Sequence, residues 1–317
     1  MNEDNFKIVS FYEFKNIRSQ YLKYKNSIKE ICSQNNLRGT VILSQEGING
    51  TLSGFDESID NFLIFLKNLQ FNNTEIKFSY SKTIPFYKLK IKIKKEIVPF
   101  NNEVENPNQT GKFIDSKNWN KIIEDPSITV IDVRNQYETK IGKFKNSTDP
   151  KTDNFTDFIK YIKTDLNDKK NETIAMYCTG GIRCEKASAY MIQNGFKNVL
   201  QLKGGILKYF EETTPESSLW EDECYVFDNR VSVKKDLTQG TYELCNGCKE
   251  TISQSDKKSE EYEEGVSCPN CYNKRSIQQK ENSRERQKQI DLFKKNNQSY
   301  PFDKLNPSQY KNFIKDN

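Results

Sequence analysis

The fold is decided by residues 176–188, which read Met176-Tyr-Cys-Thr-Gly-Gly-Ile-Arg-Cys-Glu-Lys-Ala-Ser188. The apolar run before Cys178 predicts a strand, and the residues from Arg183 onward predict a helix. The two glycines between them let successive backbone N–H groups point at one spot, where the positive end of the helix also lies. Such a loop stabilises an anion. We therefore expect Cys178 to be a nucleophilic thiolate near neutral pH.

A second cysteine in the same loop is an alternative nucleophile. Cys184 lies on the first turn of the predicted helix, also near its positive end. We favour Cys178 because the Cys-x-x-x-x-Arg spacing starts there, whereas Cys184 could resolve a disulfide or simply pack. The opposite interpretation, a glycine turn around a buried structural cysteine, fits the strand, glycines, arginine and helix less well. The predicted anion cradle consists of Thr179, Gly180, Gly181, Ile182, Arg183 and Cys184.

The surroundings of this loop alternate between strand and helix patterns. Helices are predicted near 116–124, 155–166 and 185–194, and strands over 128–133, 172–177 and 199–202. This alternation is typical of a parallel sheet with helices on both faces, and we assign it to a domain over residues 113–216.

The first hundred residues predict a separate α+β domain, followed by a polar linker over 101–112. Its β-α-β-β-α-β order is that of a ferredoxin-like unit. We expect the glycine-rich stretch 47–50 to form a turn and Asp56 to cap the second helix.

A strand near the end of this domain alternates lysine with apolar residues. One face carries Lys88, Lys90, Lys92 and Lys94, and the other carries leucine and isoleucine. The pattern fits either a solvated edge strand or a stripe of candidate RNA contacts that follows phosphates.

Two CxxC pairs predict a metal site in a connecting segment and small module over residues 217–275. The ligands would be Cys245, Cys248, Cys268 and Cys271, whose spacing fits tetrahedral structural zinc. An iron–sulfur cluster is the alternative, because four thiolates also hold one. Cys224 and the residues before it carry no motif, so we expect core packing and a surface loop there.

The remaining composition limits the function classes. The chain has 317 residues, a net charge of +5 and no histidine, which excludes Ser-His-Asp and Cys-His mechanisms. From Tyr272 onward it has 11 Lys+Arg against 5 Asp+Glu, so we predict a basic, helical or disordered tail over 276–317 that could meet RNA. We expect no membrane span and no signal peptide, and hence a cytoplasmic protein. No flavin or NAD motif is seen, and the oligomeric state is left open.

The cysteine loop resembles the active loop of rhodaneses. Asp132, Arg134 and Glu138 match the Asp-x-Arg-x-x-x-Glu segment of that family, and Gly204-Gly205 matches its closing turn. The sequence departs from the family at 142–144, where Gly-Lys-Phe replaces the common Gly-His run.

The wider pattern resembles the tRNA uridine hydroxylase family. It consists of Arg38-Gly-Thr-Val-Ile-Leu-Ser-Gln-Glu-Gly-Ile-Asn-Gly-Thr51, Pro85-Phe-Tyr-Lys-Leu-Lys90, Lys95-Glu-Ile-Val98, the cysteine loop and Val226-Phe-Asp-Asn-Arg230. The resemblance implies an acylphosphatase-like N-terminal domain, a rhodanese domain and a cysteine-rich C-terminal part. It also implies oxygen-dependent, monooxygenase-like formation of 5-hydroxyuridine at position 34 of the tRNA anticodon loop, with a persulfide on Cys178.

Two other functions remain open at this stage. The loop alone equally fits a sulfurtransferase that passes persulfide sulfur to an acceptor. A non-catalytic RNA-binding adaptor would not need Cys178 at all. For the hydroxylase, molecular oxygen would be a co-substrate, and a sulfur or electron donor protein is an expected partner. Glu46 and Asn49 are expected either near the RNA or in ordinary turn contacts.

Overall fold

The computed structural model describes residues 5–101, 104–296 and 305–315. Within these ranges no helix is both long and apolar enough to cross a membrane. The chain folds into an N-terminal α+β domain, a central α/β domain and a small cysteine-containing module.

The N-terminal domain has the predicted β-α-β-β-α-β order with one further strand. Its elements are β1 (Phe6–Phe14), α1 (Tyr21–Gln34), β2 (Arg38–Ser44), β3 (Gly47–Gly54), α2 (Asp56–Asn68), β4 (Glu75–Ser81) and β5 (Leu89–Ile93). The sheet order is β4-β1-β3-β2-β5, and all pairs are antiparallel except β2 with β5. Apolar residues of both helices and one sheet face form the core, including Val9, Ile28 and Phe62.

Two local predictions in this domain are wrong. Residues 47–50 are not a turn but the first half of β3, which pairs with both β1 and β2. A Cβ at Gly50 would lie 2.7 Å from Cζ of Phe11, so this glycine serves close packing inside the sheet. Asp56 is the first helical residue of α2, and the capping position belongs to Phe55, which makes no side-chain cap.

The lysine-alternating strand is an edge strand, as its pattern predicts. Among the described strands, β5 pairs with β2 alone, and Leu89, Ile91 and Ile93 pack on the domain core. The four lysines lie on the exposed side.

The central domain is built on a parallel sheet. Its elements are β6 (Lys112–Ile114), α3 (Ser116–Glu124), β7 (Ile128–Asp132), α4 (Gln136–Thr139), β8 (Gly142–Phe144), α5 (Phe158–Thr164), β9 (Thr173–Tyr177), α6 (Ile182–Gln193), β10 (Asn198–Leu202) and α7 (Gly205–Glu212). The order β6-β10-β9-β7 is parallel throughout. One face buries α5 and α6, and the other buries α3 and α7, which confirms helices on both faces.

The segment between the two domains is shorter and more buried than the polar linker that its sequence predicts. Strand β6 begins at Lys112, inside the predicted linker. Val98 and Phe100, from the predicted first domain, are buried in the core of the central domain. The segment joining the domains is therefore partly core.

The following segment covers the second face of the central sheet. β11 (Trp220–Asp222) pairs with β8, and β12 (Cys224–Tyr225) pairs with β13 (Ser232–Val233). Trp220 and Cys224 are fully buried in the same cluster as Phe144, so Cys224 packs in the core as expected.

The C-terminal part contains a hairpin and two helices. They are β14 (Glu243–Leu244), β15 (Thr251–Ile252), α8 (Ile277–Lys295) and α9 (Pro307–Lys315). The described tail is helical, and its second helix returns to the N-terminal domain. There the Tyr310 ring packs edge-on against Phe6, and its hydroxyl donates to the carbonyl of Asn36 at 2.9 Å.

Candidate active site and metal centre

The Cys178 loop has the geometry that its sequence predicts. Strand β9 ends at Tyr177, and helix α6 begins at Ile182, so only four residues separate them. The N–H of Gly181 donates to Sγ of Cys178 at 3.1 Å. Gly181 has φ of 97°, a conformation that favours glycine.

The surroundings of Cys178 favour its thiolate. Burial alone would raise the pKa of Cys178, but a hydrogen bond with Cys184 and the charge of Arg183 oppose it. Together with backbone N–H groups of Cys184 and Gly181, they lower this pKa to about 5. The thiol is therefore ionised at neutral pH.

Cys184 is instead held in its protonated form. Burial, together with its hydrogen bond to Cys178 and the Cys178 charge, raises the pKa of Cys184 well above its ordinary value. A protonated Cys184 is a donor that stabilises the neighbouring thiolate. This arrangement supports Cys178 over Cys184 as the nucleophile.

A buried ion pair fixes the arginine of the loop. Both terminal nitrogens of Arg183 donate to Glu138, at 2.6 and 2.8 Å, and the Glu138 side chain is fully buried. Burial would raise the pKa of Glu138, but Arg183 and Arg134 hold it below the ordinary value. Arg134 in turn pairs with buried Asp132 at 2.7 Å. Through Glu138, the Asp-x-Arg-x-x-x-Glu segment thus holds Arg183 and the Cys178 loop in position.

The second glycine pair closes the loop from the other side. The N–H of Ile206 donates to the carbonyl of Cys178 at 3.0 Å, and that of Leu207 donates to Thr179 at 3.1 Å. Gly205 has φ of 69°, and a Cβ there would lie 2.5 Å from the Cys178 oxygen. Only glycine permits this contact.

The loop opens into a cleft of about 710 Å³ that is shared by three parts of the chain. This volume falls in the range of small-molecule and cofactor sites. The lining residues include Ser10, Tyr12, Thr40, Asn49, Thr51, Lys77, Phe86, Tyr137, Phe155, Cys178, Thr179, Arg183, Phe227 and Arg230.

The four predicted metal ligands come together in the C-terminal module. The sulfurs of Cys245, Cys248, Cys268 and Cys271 all lie within 4.8 Å of one another. Individual Sγ–Sγ distances are 3.7 Å for Cys248–Cys268 and 3.9 Å for Cys245–Cys271. Four sulfurs around a tetrahedral zinc ion lie about 3.8 Å apart, so this donor set fits one.

The core of the module contains little besides these cysteines. The only apolar residues grouped with them, among the described residues, are Ile252 and Tyr262. A bound metal would supply the cross-link that so small a core lacks. With four thiolate ligands the site leaves no open position for catalysis.

Comparison with known proteins assigns both larger domains. Residues 6–97 match the family described as the UPF0176 acylphosphatase-like domain, and residues 116–212 match the rhodanese-like domain family. The chain joins an acylphosphatase-like domain to a rhodanese-like domain. This is consistent with the UPF0176 family, and the rhodanese-like domain supports a rhodanese-type cysteine active site.

Similar solved structures each cover about a third of this chain. The crystal structure of a rhodanese-like domain protein from Staphylococcus aureus is 28% identical, covering 31% of this chain and 90% of that chain, with a TM-score of 0.26. The solution structure of a rhodanese-like domain from Anabaena is 21% identical over 34% and 77%, with a TM-score of 0.29. An acylphosphatase from Coxiella burnetii is 12% identical over 28% and 95%, with a TM-score of 0.22.

The acylphosphatase-like domain supplies side chains that the sequence reasoning missed. The Tyr12 hydroxyl donates to Glu185 of helix α6 at 2.6 Å. Burial raises the pKa of Glu185 to about 7, against the lowering effect of this hydrogen bond. Lys77 lines the same cleft and is only 4% exposed. Tyr12 and Lys77 lie in ordinary strand patterns, so no local signal marks them.

Glu46 links the two larger domains, and Asn49 fixes the end of the first one. The Glu46 carboxylate accepts from the N–H of Ile97 at 2.7 Å and from the Lys186 ammonium at 2.9 Å. The Asn49 side chain donates to the carbonyl of Ile97 at 3.0 Å and also lines the cleft. Lys186 pairs in addition with Glu96 at 2.6 Å. These contacts join segments that are distant in sequence, whereas the ordinary turn contacts that were one expectation are local.

The predicted lysine stripe lies beside the cleft. Lys88 and Lys90 line an adjoining depression together with Thr40, Phe86 and Phe227, and the last three also line the Cys178 cleft. The stripe is thus continuous with the candidate active site.

Proposed function

We propose that the chain is a tRNA uridine hydroxylase that forms 5-hydroxyuridine at position 34 of the anticodon, using molecular oxygen and Cys178. The observation that carries the proposal is the shared cleft. An ionised cysteine in a rhodanese-type loop faces a sheet whose exposed edge is lined with lysines. The resemblance to the tRNA uridine hydroxylase family over the quoted motifs supports the same activity.

The surroundings of the cleft suit a single-stranded nucleotide. Aromatic side chains line the cleft, among them Phe86, Tyr137, Phe155 and Phe227. The Phe227 ring is 58% exposed, which suits stacking with a base. An anticodon loop already presents its bases unpaired, and the lysines of β5 would meet its phosphates.

The chemistry assigned to Cys178 begins with sulfur transfer. Its thiolate attacks the outer sulfur of a sulfane donor, forming the persulfide and releasing the remainder of the donor as an anion. The N–H of Gly181 and the Arg183 charge stabilise negative charge at this position before and after the transfer. Hydroxylation inserts one atom of molecular oxygen into the C5–H bond, and reduction of the other atom to water requires two protons and two electrons, which the expected electron donor protein would supply.

A sulfurtransferase is the second candidate, because the loop geometry alone fits it equally well. Its product would be persulfide sulfur passed to an acceptor, with no oxidation of uridine. The rhodanese-like domain by itself indicates this class of enzyme.

The deciding experiment is nucleoside mass spectrometry on tRNA from cells that lack the protein. We expect 5-hydroxyuridine and its derivatives to fall, to return with wild type, and to stay low with Cys178→Ala. The matched control is Cys224→Ala, a buried cysteine outside the loop, which should restore the nucleoside. Unchanged 5-hydroxyuridine with a fall in 2-thiouridine would replace the hydroxylase by the sulfurtransferase.

A further inference from the structure

Lys77 is a buried cation in the Cys178 cleft. Its side chain comes from β4 of the acylphosphatase-like domain and lines the Cys178 cleft. The Nζ atom has no hydrogen-bond partner in the part of the chain that the structure describes. The Nζ atom lies 4.6 Å from the centroid of the Tyr12 ring. Its three N–H donors are therefore without acceptors among the described residues, on a side chain that lines the cleft.

A buried ammonium without an acceptor destabilises the folded protein unless a bound ligand accepts its hydrogen bonds. An unsatisfied buried donor destabilises the folded state, and a buried charge does so more strongly. Burial lowers the pKa of Lys77 to about 8, while the negative charges of Glu75, Cys178 and Glu185 oppose this shift. The amine is thus still largely protonated at neutral pH and available to an acceptor.

The register of the sheet places Lys77 at the inner end of a row of polar side chains. Direct neighbours across the strands are Lys77, Ser10, Thr51, Thr40 and Lys90. Four strand-to-strand steps separate the two lysines, a distance of about 19 Å. The outer lysine is exposed on β5, and the inner one is buried in the cleft with Cys178.

The walls of the cleft favour a base over a phosphate. Phe86, Phe155, Ile97 and Val98 line the same cleft as Lys77. An aromatic and aliphatic wall suits a planar ring, whereas a phosphate would lose its hydration to only one cation. Exposed lysines on β5 are better placed for phosphates.

We propose that Lys77 is a substrate-binding residue that donates to the O4 carbonyl oxygen of a uracil base held in the Cys178 cleft. The inference rests on the proposed function, which requires C5 of the ring to approach Cys178. O4 is attached to the carbon next to C5, whereas O2 lies across the ring. Cytosine carries an amino group in place of O4, which is a donor and would oppose the Lys77 ammonium. Lys77 therefore selects uracil over cytosine.

The test measures binding of two 17-nucleotide anticodon stem-loops that differ only in U or C at position 34, using fluorescence anisotropy. Wild type should bind the U loop about tenfold more tightly, as expected for a hydrogen bond to a charged donor. Lys77→Met should weaken the U loop about tenfold and leave the C loop unchanged, removing the preference. Lys77→Arg retains hydrogen-bond donors and should keep part of the preference for the U loop.

The matched control is Lys90→Met, on the same register row but exposed. It should weaken both loops equally and reduce the slope of log affinity against log salt by about one, as a phosphate contact does. Thermal unfolding of Lys77→Met should occur no lower than for wild type, because the variant removes an unsatisfied buried amine. A lower unfolding temperature together with equal loss for both loops would mean that Lys77 is structural.

The inference is overturned if wild type does not distinguish the loops, or if Lys77→Met keeps the preference. Failure of the proposed function looks different. In that case wild type would prefer the U loop in a Lys77-dependent manner, yet tRNA from cells lacking the protein would keep its 5-hydroxyuridine.

Discussion

The Cys178 loop and the four-cysteine cluster use the same side chain in opposite ways. In the loop, one sulfur is surrounded by donors and a fixed arginine, so that its thiolate is stable and faces a cleft. In the cluster, four sulfurs lie within 4.8 Å of one another and belong to the core of the module. Four thiolates so close together need a cation between them, whereas a single one needs only dipoles and a neighbour. A single thiolate beside a fixed positive charge can react, whereas four thiolates that share one cation serve as structural ligands.

Metal removal should produce the largest difference between the two regions. We expect about one zinc ion per chain, and we expect Cys268→Ser or a strong chelator to unfold residues 243–275, since structural zinc contributes about 10–16 kcal/mol to such modules. Elemental analysis and limited proteolysis would measure both effects. Cys32→Ser, in the acylphosphatase-like core, should retain the metal. A metal-free module that resists proteolysis as well as wild type would contradict the comparison.

Breaking the buried pair beneath the loop should have the next largest effect. Glu138→Ala leaves the Arg183 guanidinium buried without its partner and should lower the free energy of unfolding by about 3–5 kcal/mol. Urea denaturation would measure it. The matched control is Glu285→Ala, which breaks an exposed pair with Lys288 and should cost about 0–1 kcal/mol. Equal effects would show that the loop does not depend on this ion pair.

The titration of Cys178 should show the smallest but most local effect. Its alkylation by iodoacetamide should follow a midpoint near pH 5, and Cys184→Ala should move the midpoint upward by removing a donor to the thiolate. Alkylation at pH 6 should then be several-fold slower, as followed by intact-protein mass spectrometry. The pKa of Cys178 is lowered by folding, so its contribution to stability is complete above the pKa of the unfolded thiol and is lost as pH falls through about 5. Cys178→Ser should lack this component of the stability curve, and an unchanged curve would contradict the assignment.

Short-range patterns in the sequence were sufficient for most elements. Helix α3 has the predicted bounds of 116–124, and the strand-loop-helix around Cys178 follows its local glycines. Residues 47–50 were mistaken for a turn because glycine is common in turns. Pairing with two neighbouring strands outweighs that local preference.

Contacts between distant segments could not be predicted from short-range sequence patterns. Tyr12 and Glu185 are separated by 173 positions, and Lys77 looks like any solvated lysine in an alternating strand. Its burial results from the docking of a second domain, which no local pattern encodes. Tyr310 was likewise hidden in a segment that reads as a basic tail.

The Lys186 ammonium has a consequence for how freely these domains can be exchanged between proteins. It lies between Glu46 and Glu96 of the acylphosphatase-like domain, and it also donates to the carbonyl of Val98 at 2.9 Å. A foreign rhodanese-like domain without a basic residue at this position could be grafted after residue 115. The graft would leave two carboxylates facing each other at the junction, so a working chimera would have to carry a matching basic residue.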